Sequence, residues 1–323
     1  MNDDILISGG SDSCVLVTGG TGFAGSHLVE LLASTGMTNI HVTAFSRGSS
    51  AVSSFIPQEN IHSLDLTDFQ SVSALINQVK PTQIYHLASA AGVGSSFEQT
   101  QSVLENHLKL QLNLLEAVKN SGLKAKILSI GSALEYQPAN FPLKETDPLG
   151  PVSPYAVSKV IQDMLSHSYA VSYDMNIVQV RPFNHIGERQ GLGFVVPDFA
   201  KQIIDVESGR SSQIEVGNLT SVRDFTDVKD TVRAYALLME KGESAQVYNV
   251  GSGVGYSMQQ ILDWLIAESS VSITIHTDLN HQRPLDQAQV VADNAKIRSL
   301  GWAPTIPIQQ TLKRVMNWWR PKS

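Results

Sequence analysis

A tyrosine and a lysine stand four residues apart in the segment SPYAVSK, at Tyr155 and Lys159. Ser153 and Pro154 are typical of a helix N-cap and first turn, so the spacing predicts that both side chains lie on one helix face. A neighbouring ammonium and the positive end of a helix favour the phenolate, so we expect the pKa of Tyr155 to lie below its ordinary value of about 10. Such a pair can give and take a proton near neutral pH.

Ser132 is the hydroxyl residue that could act beside this pair. The segment SIGSALEY follows the strand-like run AKIL, so Ser132 is expected at the carboxyl edge of a sheet, where it can hydrogen-bond a substrate oxygen. The chain has eight tyrosines, and a surface tyrosine beside a solvated lysine is the alternative explanation of the spacing. The context of Ser132 favours catalysis.

A glycine-rich turn near the start of the chain is the second chemical signal. An apolar run at residues 15–17 leads into GGTGFAG at 19–25 and then into SHLVELLASTG, whose leucines recur at helical spacing. Strand, turn and helix in this order predict a dinucleotide site, in which N–H groups at the helix N-terminus meet a pyrophosphate. An NTPase phosphate loop is excluded, because Ser26 and His27 stand where it needs Lys and then Ser or Thr.

The elements around these groups alternate between strand and helix patterns as far as Asn184. This alternation predicts an α/β fold with a Rossmann-type doubly wound parallel sheet, and its loosening afterwards predicts a smaller C-terminal α/β substrate lobe. An earlier apolar run with two glycines, before residue 13, leads into no helix pattern. We therefore predict an N-terminal extension at 1–13, a dinucleotide-binding domain at 14–184 and a substrate lobe at 185–323, with interleaved segments.

Composition points to small-molecule chemistry. The 323 residues are 42% hydrophobic, and the formal net charge of -7 argues against nucleic acid or an anionic membrane as a partner. Cys14, the single cysteine, cannot form an intramolecular disulfide and is interpreted as a core residue, and no signal peptide or long apolar span is found. These features predict a cytoplasmic location.

Metal and serine-hydrolase chemistry are not expected. The nine histidines form no cluster at metal-ligand spacing, and the sequence G-x-S-x-G is absent. His86 lies in the apolar run IYHLA and is interpreted as a buried histidine with its hydrogen bonds satisfied. No metal is predicted.

Several motifs occur together along nearly the whole chain. They are T-G-x-x-G-x-x-G at 18–25, Asp65-Leu66, HLAS at 86–89, Ser132, Y-x-x-x-K at 155–159 and RPFN at 181–184. In this combination the sequence resembles the extended short-chain dehydrogenase/reductases that act on nucleotide sugars. The stretches RPFNHIG, FVVPDFAKQI, VGNL and RDFTDVKD resemble most closely the GDP-4-keto-6-deoxy-mannose reductases of that family, whose product is GDP-rhamnose.

The resemblance implies a role for each matching position, with Ser132, Tyr155 and Lys159 catalytic. The cofactor-binding positions that it implies are Gly19, Gly22, Phe23, Ala24, Gly25, Ser46, Arg47, Asp65, Leu66, Leu87, Ala88, Tyr155 and Lys159. The substrate-binding positions are Ser132, Asn184, Asn218, Arg223 and Arg283. A guanidinium suits phosphate oxygens, so the two arginines would grip the diphosphate, although a lone arginine can also be a surface ion-pair partner. The resemblance also implies a homodimer that pairs through the helix in SVLENHLKLQLNLLEAV.

The choice of dinucleotide depends on the residues after the second strand. An NAD site needs an acidic residue about twenty positions past the glycines to accept the ribose hydroxyls, and this chain has Phe45-Ser46-Arg47-Gly48-Ser49 there. Arg47 with Ser46 or Ser49 can instead hold a 2′-phosphate. A solvent-facing arginine would not explain the missing acid, so NADP(H) is favoured as the cofactor.

Two further activities and one non-catalytic role are weighed against reduction. Dehydratases of this kind carry an acidic pair directly after the catalytic hydroxyl, and this chain has Ala133 and Leu134. Glu135 comes one place too late and is interpreted as a strand-end residue. A nucleotide-sugar 4-epimerase that retains NAD(P) and a binding protein that senses NADP(H) without turnover stay open as alternatives.

Overall fold

The computed structural model describes residues 13–44, 51–89, 95–277 and 288–320. Its strands are β1 (Val15–Thr18), β2 (Ile40–Ala44), β3 (Ile61–Ser63), β4 (Gln83–His86), β5 (Lys126–Ile130), β6 (Ile177–Pro182), β7 (Asn184–Ile186), β8 (Ile214–Val216), β9 (Val222–Asp227), β10 (Val247–Val250), β11 (Gly255–Ser257), β12 (Ile275–Thr277) and β13 (Gln289–Val290). Its helices are α1 (Phe23–Ser34), α2 (Phe69–Val79), α3 (Ser95–Glu98), α4 (Thr100–Ser121), α5 (Pro154–Tyr173), α6 (Val195–Glu207), α7 (Val228–Lys241), α8 (Met258–Ala267), α9 (Ala295–Ser299) and α10 (Ile308–Trp319).

Seven parallel strands form the main sheet, in the order β10-β6-β5-β4-β1-β2-β3. Strand β1 is buried on both faces, as its continuous apolar run requires. Val15 and Val17 point into a core shared with α1 and α7, whereas Leu16 points into a core shared with α2, α4 and α5. Because side chains alternate across a strand, one run of valine and leucine holds helices on both faces. The predicted Rossmann-type fold is confirmed.

A second, smaller core lies beyond β6. Helices α6, α8 and α10 pack around β8 and β9, with Phe199, Ile261 and Val315 among the buried side chains. Strand β9 pairs with β7, β11 and β13 in a four-stranded sheet, and β8 pairs with β12. These short strands carry residues to the edge of the main sheet.

The C-terminal part of the chain also contributes to the main sheet. Helix α7 packs against α1, and β10 pairs in parallel with β6. Trp302 is buried in the same core and donates its indole N–H to the Asp230 carbonyl. The predicted extension at 1–13 lies almost wholly outside the described residues, and the proposed boundary at residue 184 stays a prediction.

Other sequence-based expectations can be placed on this fold. Cys14 is buried directly before β1, with its Sγ 3.4 Å from the Val79 carbonyl oxygen. The apolar stripe of α4, which the resemblance assigned to a subunit interface, is largely buried within this chain, since Leu114, Leu115 and Val118 join the core with α2 and α5. Among the described helices, none combines the length and the apolar character that a membrane span needs.

Candidate active site

The turn between β1 and α1 needs glycine at positions where a Cβ atom would not fit. Gly19 has a positive φ of 69°, and a Cβ on Gly25 would come within 2.2 Å of the Gly19 carbonyl oxygen. The Gly22 N–H donates to the same carbonyl at 3.0 Å and Gly22 is the N-cap of α1. The turn therefore brings backbone N–H groups and a helix N-terminus to the surface of a cavity, which fits a dinucleotide pyrophosphate.

The ends of the neighbouring strands form the rest of this wall. The Ala88 N–H lies 3.3 Å from Thr18 Oγ1, and the Leu87 N–H donates to the Thr18 carbonyl, so the ends of β1 and β4 are held together. Asp65 Oδ1 accepts from the N–H and the hydroxyl of Thr67, which turns the chain from β3 towards α2. The predicted cofactor positions that line the cavity are Gly19, Gly22, Phe23, Ala24, Gly25, Asp65, Leu66, Leu87, Ala88, Tyr155 and Lys159.

Helix α5 presents the tyrosine and lysine as the spacing predicts. Ser153 caps the helix by accepting the Ala156 N–H at 3.1 Å, and Pro154 occupies its first turn. The Lys159 Nζ lies 5.9 Å from the centre of the Tyr155 ring and donates to the Ile130 carbonyl oxygen at 3.0 Å. Ser132 acts on the Tyr155 hydroxyl and lines the same cavity as Tyr155 and Lys159, so the three predicted catalytic residues meet at one end of the sheet.

The expected direction of the Tyr155 pKa is wrong. Burial of the hydroxyl, together with the charge of Glu135, raises the pKa of Tyr155 to about 12. Burial lowers the pKa of Lys159 to about 8, although Glu135 opposes this change. The sequence-based argument counted the lysine and the helix end but not the removal of the phenol from water, which disfavours its charged form.

Glu135 is a residue whose position the sequence did not indicate. It closes a short 3₁₀ turn, Ala133–Glu135, that follows β5, and its side chain is fully buried rather than at an exposed strand end. Its Oε1 accepts the Ser132 N–H at 2.6 Å and its Oε2 accepts from Arg181 Nε at 3.1 Å. The S-x-x-E spacing from Ser132 to Glu135 was a signal for this capping box.

The second lobe supplies the opposite wall of the cavity, whose volume is about 1460 Å³. Asn184 on β7, Asn218 after β8 and Arg223 on β9 line it together with Ser132. Arg223 donates to the Val222 carbonyl through Nη1, and neighbouring Asp224 is buried and accepts the N–H groups of Ser252, Gly253 and Ala292. The buried aspartate therefore fixes the strand that presents Arg223.

The loop before α6 completes the cavity and was not singled out by the sequence. Leu192 and Phe194 line it while keeping 54% and 41% of their surfaces exposed, so an apolar rim surrounds its mouth. Three predicted site residues, Ser46, Arg47 and Arg283, lie outside the described residues. The geometry therefore bears on the pyrophosphate and catalytic regions and not on the 2′-phosphate position.

His86 is buried, as the sequence predicts, but only one of its ring nitrogens has a partner among the described residues. Nδ1 lies 2.7 Å from Thr18 Oγ1, whereas Nε2 has no hydrogen-bond partner in that part of the chain. Burial and the nearby charge of Lys159 lower the pKa of His86 to about 3, so its imidazole is neutral. Within the described ranges, no three His, Cys, Asp or Glu side chains are grouped as metal ligands.

Known proteins are similar to this chain over nearly its whole length. A family model described as GDP-mannose 4,6 dehydratase matches residues 16–315. The GDP-6-deoxy-D-mannose reductase of Pseudomonas aeruginosa is 31% identical, over 95% of this chain and 97% of that protein. A UDP-glucose 4-epimerase of Lacticaseibacillus casei is 27% identical, over 94% of this chain and 96% of that protein.

Solved structures show the same architecture. The structure of RMD from Pseudomonas aeruginosa complexed with NADPH has a TM-score of 0.83 and 31% identity, with 95% of this chain and 98% of that chain covered. The UDP-glucose 4-epimerase of Thermus thermophilus in complex with NAD has a TM-score of 0.82 and 28% identity, with 95% and 98% covered. The fold and the Ser132, Tyr155 and Lys159 arrangement define an extended short-chain dehydrogenase/reductase. Within that class, the chain belongs to the GDP-mannose 4,6 dehydratase family.

Proposed function

We propose that this protein uses NADPH to reduce the C4 ketone of a nucleotide-activated 4-keto-6-deoxyhexose, converting GDP-4-keto-6-deoxy-D-mannose to GDP-D-rhamnose. The observation that carries the proposal is one cavity that combines a pyrophosphate-type glycine turn, the Ser132, Tyr155 and Lys159 group, and Arg223 on the opposite wall. The Pseudomonas reductase and its NADPH complex, which cover nearly the whole chain, support this choice among the activities of the family.

Each catalytic side chain has a task in this reaction. When bound, NADPH supplies the hydride that adds to the C4 carbonyl carbon. Tyr155 gives its proton to the carbonyl oxygen, which its raised pKa suits because the phenol stays protonated at neutral pH. Ser132 hydrogen-bonds the same oxygen, and the Lys159 ammonium stabilises the phenolate that remains after transfer.

The cofactor proposal depends on two parts of the chain. The turn at residues 19–25 has the backbone geometry for a pyrophosphate. At position 25, between the turn and the helix, there is no space for a side chain. The missing acid after β2 and the presence of Arg47 favour NADP over NAD. Ser46, Arg47, Asp65 and Leu66 are the residues that we propose for the adenosine end.

The dehydratases in the same family are the main reason to examine the residues after Ser132. Elimination of water needs one group to protonate the leaving hydroxyl and another to remove a carbon-bound proton. The side chains of Ala133 and Leu134 can neither donate nor accept a proton. The carboxylate of Glu135 is already hydrogen-bonded to the Ser132 N–H and to Arg181. The proposal is therefore reduction without a preceding dehydration at this site.

A homodimer is proposed on a surface different from the α4 stripe. On α5, Val157, Met164 and Val171 recur every seven residues and keep 36%, 61% and 65% of their surfaces exposed. An apolar stripe of this spacing fits a helix of a second copy. Light scattering of the wild type and of Met164→Glu tests this, with a monomeric variant as the expected result.

The cytoplasmic location stays a prediction.

The reaction is tested with purified protein, NADPH and a panel of nucleotide keto-sugars, with the product identified by NMR. We expect loss of NADPH absorbance and equal amounts of reduced sugar and NADP⁺. Interconversion of two 4-hydroxy nucleotide sugars without a net change in NADPH absorbance would show the 4-epimerase instead. Tight NADPH binding without turnover of any substrate would favour the sensing role.

A further inference from the structure

Four charged side chains, one of them the catalytic Lys159, are buried close to Ser132 and Tyr155. Arg181 on β6 is paired with Glu135 through Nε and with Asp163 on α5 through Nη2, and both carboxylates are at least nine-tenths buried. Lys159, the fourth, is also buried. Burial and the charge of Asp163 raise the pKa of Glu135 to about 8, whereas Arg181 and the Ser132 N–H, which donate to its two oxygens, favour its ionised form. With all four groups ionised, two positive and two negative charges balance, which is the condition under which buried charges are tolerated.

Within this group Glu135 touches the catalytic machinery directly. The bond from its Oε1 to the Ser132 N–H holds the backbone of the residue whose hydroxyl meets Tyr155. Gly131 shows how closely the carboxylate approaches the chain, because a Cβ there would lie 2.3 Å from Glu135 Oε1. Asp163 shares Arg181 but bonds to Gln179 instead of Ser132.

Glu135 also faces the proton-transferring pair electrostatically. Its charge acts on Tyr155 and on Lys159, and in both cases it favours the protonated form. The charge of Asp163 acts on Glu135, whose pKa it helps to raise. Above its raised pKa Glu135 is negatively charged, and there it keeps the phenol able to donate and the ammonium charged.

We propose that Glu135 is a positioning residue, which anchors Ser132 through its backbone N–H and supplies the negative charge that faces Tyr155 and Lys159. The proposal rests on the ketoreductase function proposed above, since it assigns the pair its role as proton donor. Arg181, which also pairs with Asp163, holds the carboxylate in place from the opposite side.

Other titratable groups also face Tyr155 and Lys159, and the variants used in the test leave them unchanged. His86 on β4 interacts electrostatically with Lys159, and the ring of His107 on α4 lies 5.8 Å from that of Tyr155. Tyr235 on α7 interacts electrostatically with Tyr155. Each is present in all the variants below, so a change seen in one variant belongs to the substituted carboxylate.

The test compares Glu135→Gln with Asp163→Asn as a matched control. Each substitution removes one buried carboxylate from Arg181, and the amide introduced by Glu135→Gln retains an oxygen that can accept the Ser132 N–H. We expect the alkaline limb of the pH profile of kcat/KM to move down by about one pH unit in Glu135→Gln and to stay in place in Asp163→Asn. Glu135→Ala, which also removes the anchor, should lower kcat about tenfold more than Glu135→Gln with little change in the KM for NADPH.

Equal profiles for Glu135→Gln and Asp163→Asn, or an unmoved limb in Glu135→Gln, would show a purely structural carboxylate. A readout without turnover separates this result from failure of the proposed function. Carbon NMR of the Lys159 side chain, assigned with Lys159→Arg, should give a lower titration midpoint in Glu135→Gln and an unchanged one in Asp163→Asn. If the wild type reduces no keto-sugar, this midpoint decides the matter: a fall supports the charge of Glu135, and no change overturns it.

Discussion

At residues 19–25 there is space for a ligand because the glycines have no side chains, whereas the interior behind Ser132 is filled by charged side chains. The closest approach in the glycine turn is local, because a Cβ on Gly25 would meet Gly19 and Gly20. The buried charge behind Ser132 is non-local, because Glu135, Asp163 and Arg181 come from three elements and meet only after folding. The glycine turn and Ser132, whose N–H is bound by Glu135, line the same cavity, so one site depends on steric space in one half and on buried charge behind the other.

The largest effect is expected from removing the proton donor. Tyr155→Phe should lower kcat about a hundredfold or more, since general acid catalysis contributes at least that much, while the NADPH dissociation constant should change little. Steady-state kinetics and fluorescence titration with NADPH measure the two quantities. Near-normal turnover of the variant would mean that the charged region does not supply the proton.

A smaller effect, confined to cofactor binding, is expected in the glycine turn. Gly25→Ala places a methyl group 2.2 Å from the Gly19 carbonyl oxygen, and overpacking of about 1–3 kcal/mol corresponds to a rise in the NADPH dissociation constant of up to about a hundredfold. Gly191→Ala is the matched control, because no heavy atom lies within 4 Å of its added Cβ. If both variants bind NADPH equally well, close packing of the turn is not what forms the site.

Arg47 tests the adenosine end, where the expected effect is smaller again. Arg47→Ala should raise the KM for NADPH about tenfold relative to the KM for NADH, because a charge-assisted hydrogen bond to a 2′-phosphate exists only with NADPH. Kinetics with both cofactors measure this ratio. A wild-type preference for NADH, or an equal effect on both cofactors, would remove the argument for a 2′-phosphate site.

The mildest effect is the pH dependence of the wild type. Burial lowers the pKa of Lys159 to about 8, so the lysine is cationic below that pH and loses its charge above it, whereas Tyr155 stays protonated to about 12. We expect kcat/KM to be flat on the neutral side and to fall up to about tenfold per pH unit above the lysine pKa. In Lys159→Arg any residual activity should lack this limb, and a limb that persists there would belong to another group.

The sequence predicted most of what is local. The strand before the glycines and the capped helix at Ser153 are confirmed, because each follows from a short pattern. Ser132, Tyr155 and Lys159 line one cavity, and their catalytic roles stay a prediction. The direction of the Tyr155 pKa was not predictable, since burial and the distant partner Arg181 of Glu135 appear only in the folded chain.

The motif RDFTDVKD also shows that residue roles which depend on the folded chain cannot be predicted from a short pattern. Arg223 lines the cavity, but the three aspartates are structural: Asp224 binds the loop at 252–253, Asp227 caps α7, and Asp230 accepts the N–H groups of Thr305 and Ile306. Charge and spacing alone did not distinguish the residue at the cavity from those that hold its strand. The short strand β10 was missed because its four residues pair with β6, far away in sequence.

The chain after residue 184 passes repeatedly between the two cores. It builds α6 and β8 in the second core, returns to the first with α7 and β10, goes back for α8, returns again at Ile297 and Trp302, and ends with α10 in the second. Recombination between relatives at a single crossover point would therefore join mismatched halves of both cores at once. New sugar specificities in such a protein are reached more readily by point substitutions along the cavity wall than by exchange of whole blocks of sequence.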